Sequence, residues 1–182
     1  MSENYDCTHD VREHQSKVKY WLSSFIHILQ GRSESHDQSK LKDPAEKALF
    51  DYWSPELRRL TFGTFEYKLA LDGMGEGVKR HYRANRHHPE HYENGVNGMT
   101  LVDLMEMVAD WMAAAEARGT HVDLENAKTR FGLSDQLIEI IANTLREEDL
   151  WCTINGCGRD LCPLDRRDGH VEGFERPGKD GE

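Results

Sequence analysis

The adjacent residues His36 and Asp37 form the first pair with clear metal-binding chemistry. A neutral imidazole nitrogen beside a charged oxygen suits Zn, Mn or Fe better than Ca or Mg alone. Lys40 follows three residues later, so in a helix its ammonium lies near the same face and can meet a phosphate oxygen. One helix earlier, His14 falls within an apolar stripe, where a buried ring needs either a metal or a hydrogen-bond partner.

A second cluster, residues 81–91, contains four histidines in eleven positions. If the segment is helical, His81, Asn85 and His88 share one face at i, i+4 and i+7, whereas His87 points elsewhere. The alternative is a solvated basic helix end, which the helix dipole favours. Pro89 stops the helix under either interpretation.

Asp110 completes the set, within a predicted helix over residues 101–118. It lies beside Met107 and Ala114, and a carboxylate among small apolar residues needs a partner such as a metal. A bond to a neighbouring helix or an arginine would satisfy it equally well. Glu106, one turn earlier, either supports a ligand from behind or is exposed.

Helical signals dominate the rest of the chain, and strand signals are nearly absent, so we expect an all-α domain. The first predicted helix, residues 10–31, carries an apolar stripe, and a polar loop follows from Arg32 to Ser35. The stripe consists of Val11, Val18, Trp21, Phe25 and Ile28. Further helices are predicted to begin at Asp43-Pro44 and at Ser54-Pro55, and to cover about 64–72, 78–88, 124–131 and 134–149.

We expect one domain over residues 1–150 and an irregular tail over 151–182, where Cys152, Cys157 and Cys162 are spaced at the edge of zinc-site ranges. The net charge of −10 argues against gripping a nucleic-acid duplex. No apolar run reaches the roughly 18 residues that a membrane span needs. The polar N-terminus does not resemble a signal peptide, so a cytoplasmic protein is expected.

The order of these residues resembles the HD-domain superfamily, helical metal-dependent phosphohydrolases with ligands in the pattern H…HD…D. His14, His36, Asp37 and Asp110 match those positions. The HDQSK segment is similar to the HD-x-G-K form of the motif, with Ser39 in place of glycine. His81 and His88 fall where two-metal branches place further histidines.

The chain is also similar to a family of uncharacterised proteins common in bacteriophages and some bacteria. The segment 63–145 carries this resemblance, most specifically through NRHHPEH at 85–91. With HDQSK it covers roughly residues 9 to 148. If the protein is phage-encoded, it would be located in the cytoplasm of the host cell.

The HD resemblance implies hydrolysis of a nucleotide or similar small phosphorylated molecule by a metal-activated water. One or two divalent ions (Mn, Fe, Co, Mg or Zn) would be held by His14, His36, Asp37, His81, His88 and Asp110. Catalytic roles are expected for Lys40, Glu46 and His88, and substrate contacts for Lys40, Arg83, Arg86 and His87. A di-iron oxygenase and a non-catalytic module that binds a nucleotide or a partner protein remain alternatives, and a homo-oligomer is left open.

Overall fold

The computed structural model describes residues 5–61 and 63–147, and within these ranges the fold is all-α. Eight α-helices are joined by short turns, with 3-10 turns at Pro89–His91 and Gly95–Gly98. The helices are α1 (Thr8–Ser35), α2 (Ser39–Lys42), α3 (Pro44–Arg59), α4 (Phe65–Gly73), α5 (Glu76–Ala84), α6 (Leu101–Arg118), α7 (Leu124–Phe131) and α8 (Asp135–Glu147). The all-α expectation is therefore confirmed. The expected tail, with its three cysteines, lies outside the described residues.

Local sequence signals explain most helix ends. The Asp43 carboxylate accepts from the backbone N–H groups of Ala45 and Glu46, and Pro44 occupies the first turn of α3. Thr100 and Asp103 form a capping box at the start of α6. Gly119 ends the same helix in the left-handed conformation, with φ of 64°.

In α1 and α3, two boundaries predicted from sequence are wrong. Pro55 does not begin a new helix but lies inside α3, which is continuous from Pro44 to Arg59. The expected loop from Arg32 to Ser35 is the last turn of α1. Arg32 contacts the α6 carboxylates Asp103 and Glu106, and these contacts offset the helix cost of Gly31.

The apolar core lies between α3, α4 and α5, with Leu57, Ala70, Met74 and Val78 buried together. On the other side of the fold, the rings of Trp111 on α6 and Phe131 on α7 stack at a centroid distance of 5.6 Å. Within the described residues no helix is both long enough and apolar enough to cross a membrane.

The apolar stripe of α1 is not buried, contrary to the sequence-based expectation. Val18, its least exposed member, is still 41% exposed, and Trp21 is 63% exposed. The reason is the length of the helix: α1 packs against α6 near its C-terminal end, and its other residues extend beyond this contact.

A candidate metal centre of histidines and carboxylates

His36 and Asp37 lie at the tight turn between α1 and α2. Asp37 has φ of 53°, which makes it the one non-glycine among the described residues with a left-handed backbone. This region is uncommon for side-chain-bearing residues, but aspartate tolerates it better than most. At this turn the Asp37 carboxylate lies near His81 on α5 and near His87 in the segment that follows it.

Four side chains converge here with one potential ligand atom each, all within 4.8 Å of one another: Asp37, His81, His87 and His88. The His81 and His88 Nε2 atoms are 2.9 Å apart, and Asp37 Oδ1 is 3.4 Å from His81 Nε2. Donors that share an ion at about 2.0–2.1 Å lie roughly 2.9–3.4 Å apart. The group can therefore hold a metal ion.

Two atoms of this group lack any other partner. Asp37 Oδ1 and His87 Nε2 are buried without a hydrogen bond, 3.7 Å from each other. An unsatisfied buried polar atom costs about 1–3 kcal/mol, and two of them facing the same point call for a shared ligand. A cation satisfies both at once.

A carboxylate behind His81 fixes the orientation of its ring. His81 Nδ1 is 2.7 Å from Glu46 Oε1, and Glu46 also accepts from the Ser39 hydroxyl at 2.7 Å. Asn85 in turn donates to Ser39 and to the His81 carbonyl. This chain of bonds places the proton on Nδ1 and leaves the Nε2 lone pair directed into the centre.

Glu106 does the same for two other rings. Its Oε1 atom lies 3.0 Å from His36 Nδ1 and 3.2 Å from His87 Nδ1, while Arg32 Nε approaches Oε2 at 2.8 Å. His36, His87 and Glu106 form a second group that could bind a cation. A carboxylate paired with an arginine serves better as the acceptor for both Nδ1 protons, because both Nε2 atoms then face Asp37.

The histidines of the centre differ in pKa, because His36 contacts a carboxylate while burial dominates at the other three. Contact with Asp110, which places Oδ1 3.6 Å from Nε2, raises the pKa of His36 to about 9, against the opposing effect of burial. Burial lowers the pKa of His81, His87 and His88, so these three imidazoles are neutral at pH 7. Neutral imidazole is the form that ligates metals.

Asp110 is drawn into the same neighbourhood. Burial alone would raise the pKa of Asp110, but the contact with His36 lowers it below the ordinary value. The carboxylate is therefore ionised near the cluster. Together with the 3.6 Å contact to His36 Nε2, this places the expected ligands His36, Asp37, His81, His88 and Asp110 in one region.

His14 is not part of this region, and its predicted role as a ligand is wrong. His14 is exposed on the same continuous helix, α1, that ends beside His36. At 1.5 Å per residue, the separation along the helix is about 30 Å. The sequence predicted a loop at 32–35, but α1 continues through these residues and carries His14 away from His36.

His87 belongs to the candidate metal-binding group together with His88, whereas the sequence predicted only His88 of the two as a ligand. The prediction directed His87 away because it treated residues 78–88 as one helix, but α5 ends at Ala84 and Asn85 is extended. The non-helical segment after Ala84 lets His87 and His88 both face His81. The four histidines within eleven residues indicated a metal site in the sequence. Extending the helix through residue 88 gave the wrong direction for His87.

Other predicted residues take structural positions. Glu46, expected as a catalytic base, is 2% exposed and bonded behind His81. Arg86, expected to contact substrate, donates two hydrogen bonds to Asp103. Arg83 is exposed and lies 3.9 Å from Glu76. None of the three is directed into the cluster.

Lys40 connects the cluster to an open cavity. Its ammonium donates to Asp37 Oδ2 at 2.5 Å and lies 4.5 Å from the centroid of the Phe50 ring. The Phe50 ring also contacts the His81 ring edge-on. The cavity has a volume of about 290 Å³ and is lined by Lys40, Leu41, Lys47, Phe50, Asp51, Ser54, Pro55 and Arg58.

No curated protein and no solved structure matches this chain in comparison. One family model does, over residues 3–147, which includes every residue of the centre. The family is described only as a family of unknown function. By this match across most of its length, the chain belongs to the family of unknown function DUF5662.

Proposed function

We propose that the protein is a metal-dependent phosphohydrolase that acts on a small phosphorylated molecule such as a nucleotide. The observation that carries the proposal is the convergence of Asp37 Oδ1 with three neutral imidazoles, those of His88 and of the buried His81 and His87. Two of these ligand atoms, Asp37 Oδ1 and His87 Nε2, have no hydrogen-bond partner. Imidazole nitrogens with carboxylate oxygens suit Mn, Fe, Co or Zn better than Mg alone. One bound ion would lower the pKa of a water molecule and so supply the nucleophile.

The protein residues hold and orient the reactants. Asp37, His81, His87 and His88 form the primary ligand set, and on the adjacent side Asp110 lies next to the charged ring of His36. Glu46 and Glu106 keep the rings in the tautomer that exposes Nε2. Lys40, next to Asp37, would neutralise charge on the phosphoryl oxygens as the bond to the leaving group breaks.

The cavity beside Lys40 supports an anionic substrate. Lys47 and Arg58 line it together with Lys40, against one carboxylate, Asp51, which is bonded to Lys47. A local excess of positive charge in a chain of net charge −10 favours a phosphorylated ligand at this position. The Phe50 ring offers an apolar surface for the remainder of the molecule.

The test combines metal analysis with a substrate screen. Purified protein is analysed for bound metals and assayed with nucleoside mono-, di- and triphosphates in added Mn, Co, Fe or Mg. His88→Ala and Asp37→Asn are expected to lose metal and turnover together, while the exposed His27→Ala retains both. His14→Ala distinguishes the two ligand sets, because it should also bind metal normally.

Several outcomes would contradict the proposal. Full metal content in His88→Ala would exclude the ligand set. Iron with oxygen uptake in place of phosphate release would favour the oxidative alternative. Tight nucleotide binding without turnover at any metal would favour a binding module.

A further inference from the structure

Helix α1 carries an unusual concentration of exposed apolar side chains. Eight of them, on residues 11–28, are between 41% and 65% exposed. The eight are Val11, Val18, Tyr20, Trp21, Leu22, Phe25, Ile26 and Ile28. Single exposed apolar residues are ordinary, but most of these share one face of the helix, and an exposed apolar face of this length indicates an interaction surface.

The spacing of these residues is that of a coiled coil. Val11, Val18 and Phe25 are seven residues apart, and His14, Trp21 and Ile28 form a second series offset by three. These are the a and d positions of two and a half heptads. The 3.5-residue period keeps this face, which we name the α1 seam, turned toward a partner helix along its full length.

The seam is continuous with a helix contact that already exists within the chain. Its next a position is Arg32, which is paired with Asp103 and Glu106 where α1 packs against α6. From Ile28 back to Val11 the same face leaves α6. Among the described residues, no element of this chain covers it.

We propose that the α1 seam binds the same seam of a second copy of this chain, as an antiparallel helix pair. This proposal is independent of the proposed function, because the seam contains no residue of the metal centre. The self-complementary partner is favoured because the heptad pattern is suited to a helix with the same period, and a two-fold pair satisfies both seams at once.

The sizes of the side chains set the direction. In an antiparallel pair each a residue faces a d residue, so Trp21 faces Val18 of the second copy. By the same register Phe25 faces His14, and Ile28 faces Val11. Large side chains then lie opposite small ones, which fills the space evenly. A parallel pair would place Trp21 against Trp21 and Phe25 against Phe25, which overpacks one end.

The flanking positions agree with this direction. Gln15 lies beside Leu22 of the second copy, and Lys17 lies beside Ser24, so no like charges meet across the pair. Leu22 extends the apolar strip on one side. The pair therefore buries apolar surface without bringing an unpaired charge into it.

Sedimentation velocity over a concentration series tests the association. The natural chain is expected to sediment as a dimer, and Phe25→Glu is expected to weaken dimerisation by roughly 100-fold or more, because two buried rings are lost per dimer. Ile26→Glu is the matched control: it makes the same charge change one residue later, off the seam, and should leave the dimer intact. Circular dichroism checks that both variants remain helical.

Disulfide trapping tests the direction in a background where the four natural cysteines are serine. Val11→Cys and Ile28→Cys are expected to form few cross-links alone and to form heterodimeric disulfides when mixed. A monomer at all concentrations up to about 0.1 mM would overturn the proposal. A dimer that survives Phe25→Glu, or efficient Val11→Cys cross-linking to itself, would overturn it as well.

Discussion

At the scale of single residues, the centre depends on two carboxylates that lie behind its imidazole rings. Glu46 and Glu106 each accept from an imidazole Nδ1 and so determine which nitrogen faces the cluster. Such supporting contacts commonly change metal affinity by 10- to 100-fold. Both glutamates are consequently positioning residues, whose loss should alter binding before it alters the fold.

Glu46→Gln is expected to weaken metal binding by about 10- to 100-fold, because the amide no longer fixes the proton on His81 Nδ1. Isothermal titration with Mn or Co measures the change. Glu13→Gln, which alters an exposed residue paired with Lys17, serves as the control. Unchanged affinity in Glu46→Gln would show that His81 is oriented by other contacts.

Asp103 joins α1, α6 and the segment after α5 through ionic contacts. It is 1% exposed and is bound by Arg32, Arg86 and the Thr100 cap. Asp103→Asn is expected to lower the free energy of unfolding by about 1–3 kcal/mol, because two partly exposed guanidinium groups lose their charged acceptor. Asp51→Asn, at an exposed pair, should be nearly neutral in the same denaturation experiment.

The same residue predicts a pH effect. Burial would raise the pKa of Asp103, but Arg86 and Thr100 outweigh it and hold that pKa well below its usual range. Its contribution to stability is therefore complete above the unfolded value of about 3.9 and is lost as pH falls below it. Denaturation at pH about 7 and about 2 should show the difference between the natural chain and Asp103→Asn shrinking in acid.

At the scale of helices, the position of His81 depends on how closely α3 and α5 approach. A Cβ atom at Gly77 would collide with the Leu49 side chain on α3. Gly77 is one turn before His81, so pushing α5 away from α3 also moves His81 away from Glu46. An added methyl group at Gly77 would therefore require the Leu49 side chain or α5 to shift.

Gly77→Ala is expected to destabilise the fold by about 1–3 kcal/mol and to weaken metal binding at the same time. Gly31→Ala is the matched control, since it lies in α1 with nothing within 4 Å of the added carbon. That control should be neutral or stabilising by about 0.5–1 kcal/mol. Thermal denaturation of both variants, with and without metal, separates the two effects.

The helices best predicted from sequence are those with complete end signals. Thr100, Asp103 and Arg118 bound α6 as expected, because capping depends on neighbours in sequence. The end of α5 at Ala84 was missed, since the three-residue turn after it is fixed by contacts of Asn85 with Ser39 and His81. Trp21 was expected to be buried, but it is exposed. Periodicity identifies an apolar face of a helix and does not show which element covers that face.

At the scale of the whole molecule, the metal centre joins parts that are distant in sequence. Its ligands come from the α1–α2 turn, from α5 and from the segment after it, with Asp110 from α6 nearby. The sequence identified five of these residues by type and order. It could not identify His14 as remote, because that depends on the unbroken length of α1.

Metal binding is expected to stabilise the whole domain, because a ligand bound only by the folded state adds to its stability by linkage. At 1,000 times the dissociation constant this amounts to about 4 kcal/mol. Differential scanning calorimetry should show a lower Tm after chelation and its recovery on adding Mn or Co. In His88→Ala the two curves should coincide; a persistent shift would place the ion elsewhere.

The shared acceptor at Glu106 has a consequence for how the centre responds. His36 and His87 both direct Nδ1 at the same oxygen, 3.0 Å and 3.2 Å away. A movement of the Glu106 carboxylate therefore changes the support of both rings at once. The two imidazoles are thus mechanically coupled, and a disturbance that reaches one side of the centre is transmitted to the other through a single atom.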